Sequence, residues 1–177
     1  TPGPAPDKHP TAPSPVEEGK AAYDRGNFAV AAQWWRKPAE QGDAPAQHNL
    51  GVLYLQGQGV PQDDAIAAQW FRQAAKQGYA PAQANLGGLY DQGRGMAQDY
   101  SAAMHWYHKA AEQGYAVAQN NMGAMYEQGR GVAQDYAAAA RWYRKAAEQG
   151  LAVAQLSIGG LYEQGRGVAQ DSVQALM

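Results

Sequence analysis

The sequence predicts an all-α fold, a right-handed solenoid of antiparallel helix pairs with a 36-residue repeat. Two observations lead to this prediction. The first is that four sets of residues recur every 36 residues in one register: Gly42, Gly78, Gly114 and Gly150; Gly51, Gly87, Gly123 and Gly159; Tyr54, Tyr90, Tyr126 and Tyr162; and Trp34, Trp70, Trp106 and Trp142. The second is that each period contains two helix-like stretches separated by a Gly-x-Gly step. A period between about 20 and 50 residues is typical of stacked supersecondary units.

Each repeat is predicted to form two helices, as residues 115–150 illustrate. The first helix should extend from about Ala116 to Glu127 and end at the Gly-Arg-Gly step, because glycine readily adopts the positive φ of a helix C-terminus. Asp135 stands at the N-cap position of the second helix, where its carboxylate can accept hydrogen bonds from free amides. The second helix should continue through an alanine-rich stretch to about Gln149.

The recurring residues resemble the Sel-one-like repeat, a branch of the tetratricopeptide class. Residues 115–150 carry nearly all of its pattern: Ala116, Gln119, Met122, Gly123, Tyr126, Gly129, Gly131, Val132, Asp135, Trp142, Tyr143, Lys145, Ala146, Ala147, Glu148, Gln149 and Gly150. The resemblance covers about residues 19–177, and it implies that first helices line a concave face and second helices a convex face. It is specific for the fold and weak for the function, because this repeat is a scaffold.

The resemblance and the composition together divide the chain into six segments. These are a Pro/Ala-rich disordered spacer (1–17), an N-terminal capping helix pair of tetratricopeptide type (18–42), three full repeats (43–78, 79–114 and 115–150) and a truncated final repeat (151–177). In the cap, Pro38 replaces the alanine of later repeats. Proline inside a helix costs about 3 kcal/mol, so we expect a bend or an early stop near Lys37.

Both ends of the chain lead to expectations about its setting. Six of the ten prolines lie in the first fifteen residues, which favours an extended, solvated tether over an SH3-type ligand. Because the chain begins at Thr1, we expect that a signal peptide has been removed and that the protein is exported or periplasmic, with a cytoplasmic location left open. The last repeat ends on the apolar run Val173, Ala175, Leu176 and Met177, so we expect either a trimmed array or a homo-oligomer formed through this open end.

The composition argues against several classes of function. The net charge of −2 argues against a nucleic-acid partner, which needs an excess of Lys and Arg on one face. The chain has no cysteine, so it can form no disulfide, thiolate nucleophile or Cys-ligated metal site. The sequence has no run of about 18 apolar residues, so we expect no membrane-spanning helix.

One set of side chains is predicted to line a partner-binding groove on the concave face. At about 100° per residue, His48, Val52 and Leu55 fall on one side of their helix, flanked by Asn49 and Gln56. Residues of later repeats complete the groove: Asn85, Gly88, Asp91, Gln92, Asn121, Ala124, Glu127, Gln128 and Glu163. Equivalent side chains of adjacent repeats should be about 10 Å apart, the spacing of packed helices.

Three features of this groove each admit two interpretations. The small residues, such as Gly88 and Ala124, leave room for a ligand or simply allow close helix packing. The acidic row, including Asp91 and Glu127, pairs with arginines three residues later in the interpretation that we favour, or it recognises a basic ligand. The recurring asparagines, such as Asn85, grip a peptide backbone in tetratricopeptide relatives, and here they either do so or bond a neighbouring loop.

Catalysis finds little support in the sequence. None of the four serines lies in a G-x-S-x-G elbow, and the Gly-x-Gly steps lack the strand and the Lys-Ser/Thr of a phosphate loop. His105 and His108 have a spacing that can hold a metal, yet their equivalents in other repeats are solvent-facing types, so we expect no metal and no cofactor. Some members of the family that the chain resembles bind or hydrolyse β-lactams, but the sequence offers no nucleophile for this activity.

We therefore predict a non-enzymatic scaffold that binds a peptide or protein partner in its groove. We expect it in the bacterial cell envelope or periplasm. One concrete form is an immunity protein that neutralises a secreted effector, a role in which relatives of the repeat occur. The alternative is an envelope-associated weak hydrolase, or a protein that binds glycans or β-lactams. The recurring aromatic residues are expected to belong to the core.

Overall fold

The computed structural model of the protein describes residues 12–167, which form nine α-helices and no strand. The helices are α1 (Pro15–Asp24), α2 (Phe28–Glu40), α3 (Ala44–Gln56), α4 (Asp64–Lys76), α5 (Ala80–Gln92), α6 (Tyr100–Glu112), α7 (Ala116–Gln128), α8 (Tyr136–Glu148) and α9 (Ala152–Glu163). Each helix packs against its neighbours in sequence, so the predicted all-α solenoid is confirmed. Most of the predicted spacer and the apolar run at 173–177 lie outside the described residues.

The helix ends follow the cap residues that recur in the sequence. Asp63 illustrates the N-cap, because its Oδ1 accepts hydrogen bonds from the amides of Ala65 and Ile66 at 2.9 Å. Left-handed glycines end the first helices of the full repeats: Gly57, Gly93 and Gly129. The helices predicted to end near positions 127 and 149 are α7 and α8, and each prediction is correct to within one residue.

The first helix begins inside the range that the sequence analysis assigns to the spacer. Ser14 caps α1, since its Oγ accepts from the Glu17 amide at 3.3 Å while its own amide donates to the Glu17 carboxylate at 2.7 Å. This reciprocal capping box starts the helix at Pro15, because proline is tolerated in the first turn, where its missing amide hydrogen has no helical partner. The many prolines of the segment concealed this cap signal.

The early stop expected near Lys37 does not occur, because α2 continues through Pro38 to Glu40. Pro38 lies in the last turn of the helix, so its missing amide hydrogen removes one helical hydrogen bond near an end that would soon follow in any case. Its carbonyl oxygen accepts from the amides of Gln41 and Asp43 at 3.1 and 3.0 Å, which closes the helix. Of the two outcomes expected there, a bend or an early stop, the early stop is therefore wrong.

Glycines in the middle of the first helices let an aromatic ring of the second helix approach the backbone. At Gly123, an added Cβ would lie 2.5 Å from Cδ1 of Tyr143, and at Gly51 it would lie 2.6 Å from Cε1 of Phe71. These rings are almost completely buried, with exposed fractions of 2% for Tyr143 and 0% for Phe71. The core of each full repeat therefore contains an aromatic ring packed on a glycine.

The tryptophans that recur every 36 residues join one repeat to the next. Trp70 of α4 packs against the cluster formed by α1, α2 and α3. In the same way, Trp106 of α6 packs against the cluster of α4 and α5, and Trp142 of α8 packs against the cluster of α5, α6 and α7. These side chains are half-buried, whereas Trp34 is 43% exposed. The aromatic residues that follow these tryptophans are fully in the core, as predicted: Phe71, Tyr107 and Tyr143. The tryptophans themselves are only partly in the core.

The second glycine of each Gly-x-Gly step contacts the preceding repeat. Gly95 has a φ of 69°, and an added Cβ would clash with the backbone carbonyl of Asp64 and lie 2.7 Å from the amide nitrogen of Ala65. Arg94 beside it donates from Nε and Nη2 to the Asp64 carboxylate at 2.9 and 2.8 Å. Gly-x-Gly is therefore a joint between repeats, whereas the sequence analysis interpreted it only as a helix stop.

Buried glutamines also tie the repeats together. Gln119 is 5% exposed, its amide donates to the Ala111 carbonyl at 3.2 Å, and its side-chain oxygen accepts from Gln149 at 2.7 Å. Gln47 and Gln83 repeat this arrangement in the two preceding repeats. A buried amide needs such partners, so the recurring glutamine of the first helix is structural.

We expect Gln119→Leu to lower the free energy of unfolding by about 1–2 kcal/mol, because it removes both hydrogen bonds while keeping a similar side-chain volume. The matched control is Gln155→Leu, since this exposed equivalent donates one bond to the Ala147 carbonyl at 3.3 Å. The control should change the free energy by less than about 0.5 kcal/mol. Urea unfolding followed by circular dichroism measures both, and equal losses would contradict the structural role.

Candidate functional site

Two depressions open along the side of the stack formed by the odd-numbered helices, which we call the odd-helix face. The first depression has a volume of about 490 Å³ and lies between α1 and α3. The second has a volume of about 300 Å³ and lies over α3, α5 and α7. We call the two together the groove. The side formed by α2, α4, α6 and α8 is the even-helix face.

Apolar and aromatic side chains form much of the wall of the first depression: Val16, Tyr23, Trp35, Pro45, Val52 and Tyr79. The His48 ring lies among them, with its centroid 5.4 Å from that of Tyr79 and 5.7 Å from that of Phe71. Charged residues of α1 edge the opening, where Lys20 Nζ lies 2.6 Å from Asp24 Oδ2. The depression can therefore receive a large apolar side chain from a partner.

Polar side chains are prominent in the second depression. Asn85, Gln92 and Asn121 present amide groups, which can both donate and accept hydrogen bonds. Gly88 leaves space among them, because the nearest described atom to an added Cβ would be Tyr107 Oη at 3.5 Å, an ordinary contact distance. The second depression can therefore hold an extended backbone.

Nine of the fourteen predicted groove residues line these depressions. The first is lined by His48, Asn49 and Val52, and the second by Leu55, Asn85, Gly88, Asp91, Gln92 and Asn121. The other five line neither depression: Gln56, Ala124, Glu127, Gln128 and Glu163. A binding role for any of the fourteen stays a prediction.

The acidic row does not pair with the arginines that follow three residues later. Arg130 Nη1 lies 2.5 Å from Asp91 Oδ1 in the preceding repeat, whereas Glu127 accepts from Tyr143 Oη at 2.6 Å. Arg94 likewise reaches back to the preceding repeat. The predicted local pairing is wrong, because the Gly-x-Gly turn packs against the preceding repeat and directs its arginine into that repeat.

Asp91 and Glu127 of this row each accompany a tyrosine of the adjoining second helix, and Leu55 at the equivalent position accompanies a phenylalanine. The three equivalent pairs are Leu55 with Phe71, Asp91 with Tyr107, and Glu127 with Tyr143. Burial raises the pKa of Tyr107, and the nearby Asp91 carboxylate raises it further. The groove is thus apolar beside α3, and it becomes polar beside α5 and α7.

One member of the asparagine row, Asn85, bonds the preceding repeat as well as lining the groove. Asn85 Nδ2 donates to His48 Nε2 at 3.0 Å, and His48 Nδ1 donates to Asn49 Oδ1 at 3.3 Å. Both bonds are satisfied by the neutral Nδ1–H tautomer of the imidazole. Burial lowers the pKa of His48, although the Asn49 bond opposes this shift.

We expect the protein to lose stability as the pH falls from about 7.5 to 5, and His48→Gln to reduce this loss. The folded-state pKa of His48 is lowered, so its contribution is present above the unfolded value of about 6.5 and is lost as the pH falls. Protonation at Nε2 would also break the bond from Asn85. Urea unfolding at both pH values measures the difference, and an identical pH dependence of the two proteins would contradict this role.

The wall that α1 contributes to the first depression was not predicted from the sequence. Residues 18–42 were expected to form a cap, and Val16 was expected to lie in the spacer. Val16, Gly19 and Tyr23 have the i, i+3, i+7 spacing of one helical face, and this signal could have identified the wall.

The two histidines with metal-binding spacing lie on α6 of the even-helix face. His108 Nδ1 lies 3.3 Å from the Glu112 carboxylate, and His105 packs edge-on against Trp106. Over residues 12–167, no group of three His, Cys, Asp or Glu side chains is placed to hold a metal ion. Every helix in the same range falls short of the length and apolarity needed to span a bilayer.

Comparison with solved structures identifies proteins with the same architecture. The chain is 42% identical to c5321, a protective antigen present in uropathogenic Escherichia coli strains, with a TM-score of 0.80 over 87% of this chain and 34% of that one. It is 39% identical to a Sel1 repeat protein from Oxalobacter formigenes, with a TM-score of 0.83 over 90% of this chain and 64% of that one. It therefore spans about a third of the first relative and less than two thirds of the second.

A more distant similarity concerns the fold alone. Helicobacter pylori cysteine rich protein B is 19% identical, with a TM-score of 0.55 over 78% of this chain and 93% of that one. The family model of the Sel1 repeat matches five consecutive segments, at residues 17–43, 44–79, 80–115, 116–151 and 152–177. The N-terminal pair that we interpret as a cap is included in these matches. The chain belongs to the Sel1 repeat family.

Proposed function

We propose that the protein binds an extended segment of a partner protein in the groove of its odd-helix face. The observation that carries this proposal is that nine residues predicted from the repeat pattern line two neighbouring depressions. Sel1 repeat proteins are generally protein–protein interaction scaffolds, which supports binding over catalysis. The amide groups of the second depression suit a backbone, and the apolar walls of the first suit a side chain.

The change Gly88→Leu tests this proposal without disturbing the core. Gly88 lies within α5 and lines the second depression, and an added Cβ would make only an ordinary contact with Tyr107. A leucine side chain should therefore fill the depression, while the helix gains up to about 1 kcal/mol from the loss of a glycine. The matched control is Gln69→Leu, which adds a leucine to an exposed position of the even-helix face.

The measurement is partner capture from the cells that make the protein, followed by titration of the captured partner against all three proteins. We expect Gly88→Leu to weaken partner binding at least tenfold and Gln69→Leu to leave it unchanged. Circular dichroism and thermal unfolding establish that both variants are folded. Binding that survives Gly88→Leu and is lost in Gln69→Leu would place the partner on the other face and contradict the proposal.

We further propose that this binding takes place in the bacterial cell envelope or periplasm. Similarity to a protective antigen supports a location outside the cytoplasm, as does the proline-rich N-terminal segment. Fractionation of cells that carry the complete natural gene tests the location, and recovery in the cytosol alone would contradict it.

We also propose a more specific partner, a secreted effector that the protein neutralises. To test this, the captured partner is produced in cells with and without the protein, and the protein should protect those cells if the partner is toxic.

A further inference from the structure

The two faces of the helix stack carry opposite charge. The five odd-numbered helices contain six carboxylates and one lysine, whereas the four even-numbered helices contain eight Lys or Arg residues and four carboxylates. The net charge of the whole chain is only −2, so this separation is invisible in the composition. A groove on the negative face attracts cationic segments, and low-dielectric walls increase the effect.

The cations near the second depression are already held by acidic partners. Arg94 forms a two-bond pair with Asp64, and Arg130 bonds Asp91. Glu127 then has no Lys or Arg partner among the described residues, and accepts only the hydroxyl of a tyrosine. The local pairing that would have neutralised the acidic row does not occur, so a negative charge remains beside this end of the groove.

The first depression can bind an apolar side chain, and it lies at a defined distance from the acidic end of the groove beside Glu127. Its walls are mainly apolar and aromatic, and two carboxylates, Glu17 and Asp24, stand at its edge with one lysine, Lys20. The first depression lies between α1 and α3, and Glu127 lies on α7, two repeats beyond α3. At about 10 Å per repeat, about 20 Å separates the two. An extended chain covers this distance in about six residues.

We propose that the occupant of the groove is a partner segment with one large apolar side chain and a Lys or Arg about six residues from it. The apolar side chain enters the first depression, and the cation lies over the second depression towards Glu127. This inference rests on the proposed function and specifies the chemistry of the partner at the same site. Neither an acidic segment nor a neutral one would be electrostatically complementary to the negative odd-helix face.

Selection from a random library of displayed 12-residue peptides tests the proposal. The library is first depleted on the Gly88→Leu variant, so that peptides bound elsewhere are removed, and it is then selected on the wild-type protein. We expect the peptides that remain to be enriched in Lys and Arg about six residues from Leu, Ile, Met, Phe, Tyr or Trp. Acidic or neutral peptides at this step would overturn the inference and leave the proposed groove intact. Failure to enrich any groove-dependent peptide would count against both.

A single charge change then tests the cation contact with one selected basic peptide. Glu127→Gln removes the charge but keeps an oxygen that can accept from Tyr143. We expect this variant to bind the peptide about three- to fivefold more weakly, the effect of one partly solvated ion pair. Glu148→Gln, an exposed position of α8, is the control and should bind unchanged. Equal affinity of the wild type and Glu127→Gln would overturn the contact.

Discussion

Gly95→Ala is expected to lower the free energy of unfolding by more than about 3 kcal/mol. The left-handed backbone of Gly95, with φ of 69°, costs a residue with a Cβ about 1–2 kcal/mol. The added Cβ would also clash with the Asp64 carbonyl of the preceding repeat, and backbone atoms cannot move aside as a flexible side chain can. The joint between the two repeats would therefore open, and we expect unfolding to lose its single cooperative transition.

Gly114→Ala separates the cost of the backbone angle from the cost of the clash. Gly114 has a φ of 85°, and no described atom lies within 4 Å of the position of an added Cβ. This control should lose only about 1–2 kcal/mol. Urea unfolding followed by circular dichroism and tryptophan fluorescence compares the two variants. Equal losses would show that the Gly-x-Gly step serves only as a turn.

Gly123→Ala and Gly159→Ala are expected to change stability in opposite directions although they occupy equivalent positions. At Gly123, the Cβ would press on the buried ring of Tyr143, and such overpacking costs about 1–3 kcal/mol. At Gly159, no described atom lies within 4 Å, so alanine should add up to about 1 kcal/mol through helix propensity. Thermal and urea unfolding measure the difference. A stabilising Gly123→Ala would contradict the seating of the ring on this glycine.

The sequence predicted the fold well because the recurring residues that begin and end the helices act locally. Asp135 caps a helix, and Gly129 ends one, wherever the same short pattern occurs. The ion-pair partners of Arg94 and Arg130 could not be predicted in this way. Both reach into the preceding repeat, to Asp64 and to Asp91, and that geometry depends on how repeats stack rather than on spacing along one helix.

The candidate site was predictable to the extent that it follows the repeat. Helical spacing placed Val52 and Gly88 on one face, and both line the groove. The wall supplied by α1 departs from the repeat, because Val16 precedes the segment assigned to the cap and the helix start depends on the Ser14 capping box. The position of Tyr79 in this wall likewise follows only from the stacking of α5 beside α3.

The central claim is that the partner lies on the odd-helix face, and site-specific photo-crosslinking tests it most directly. A photoreactive phenylalanine analogue is placed at Val52 or Val117, which line the two depressions, and at Gln69 or Arg141, which are exposed on the even-helix face. We predict that the captured partner crosslinks from the first two positions and not from the second two. Crosslinks from the even-helix positions alone would contradict the account.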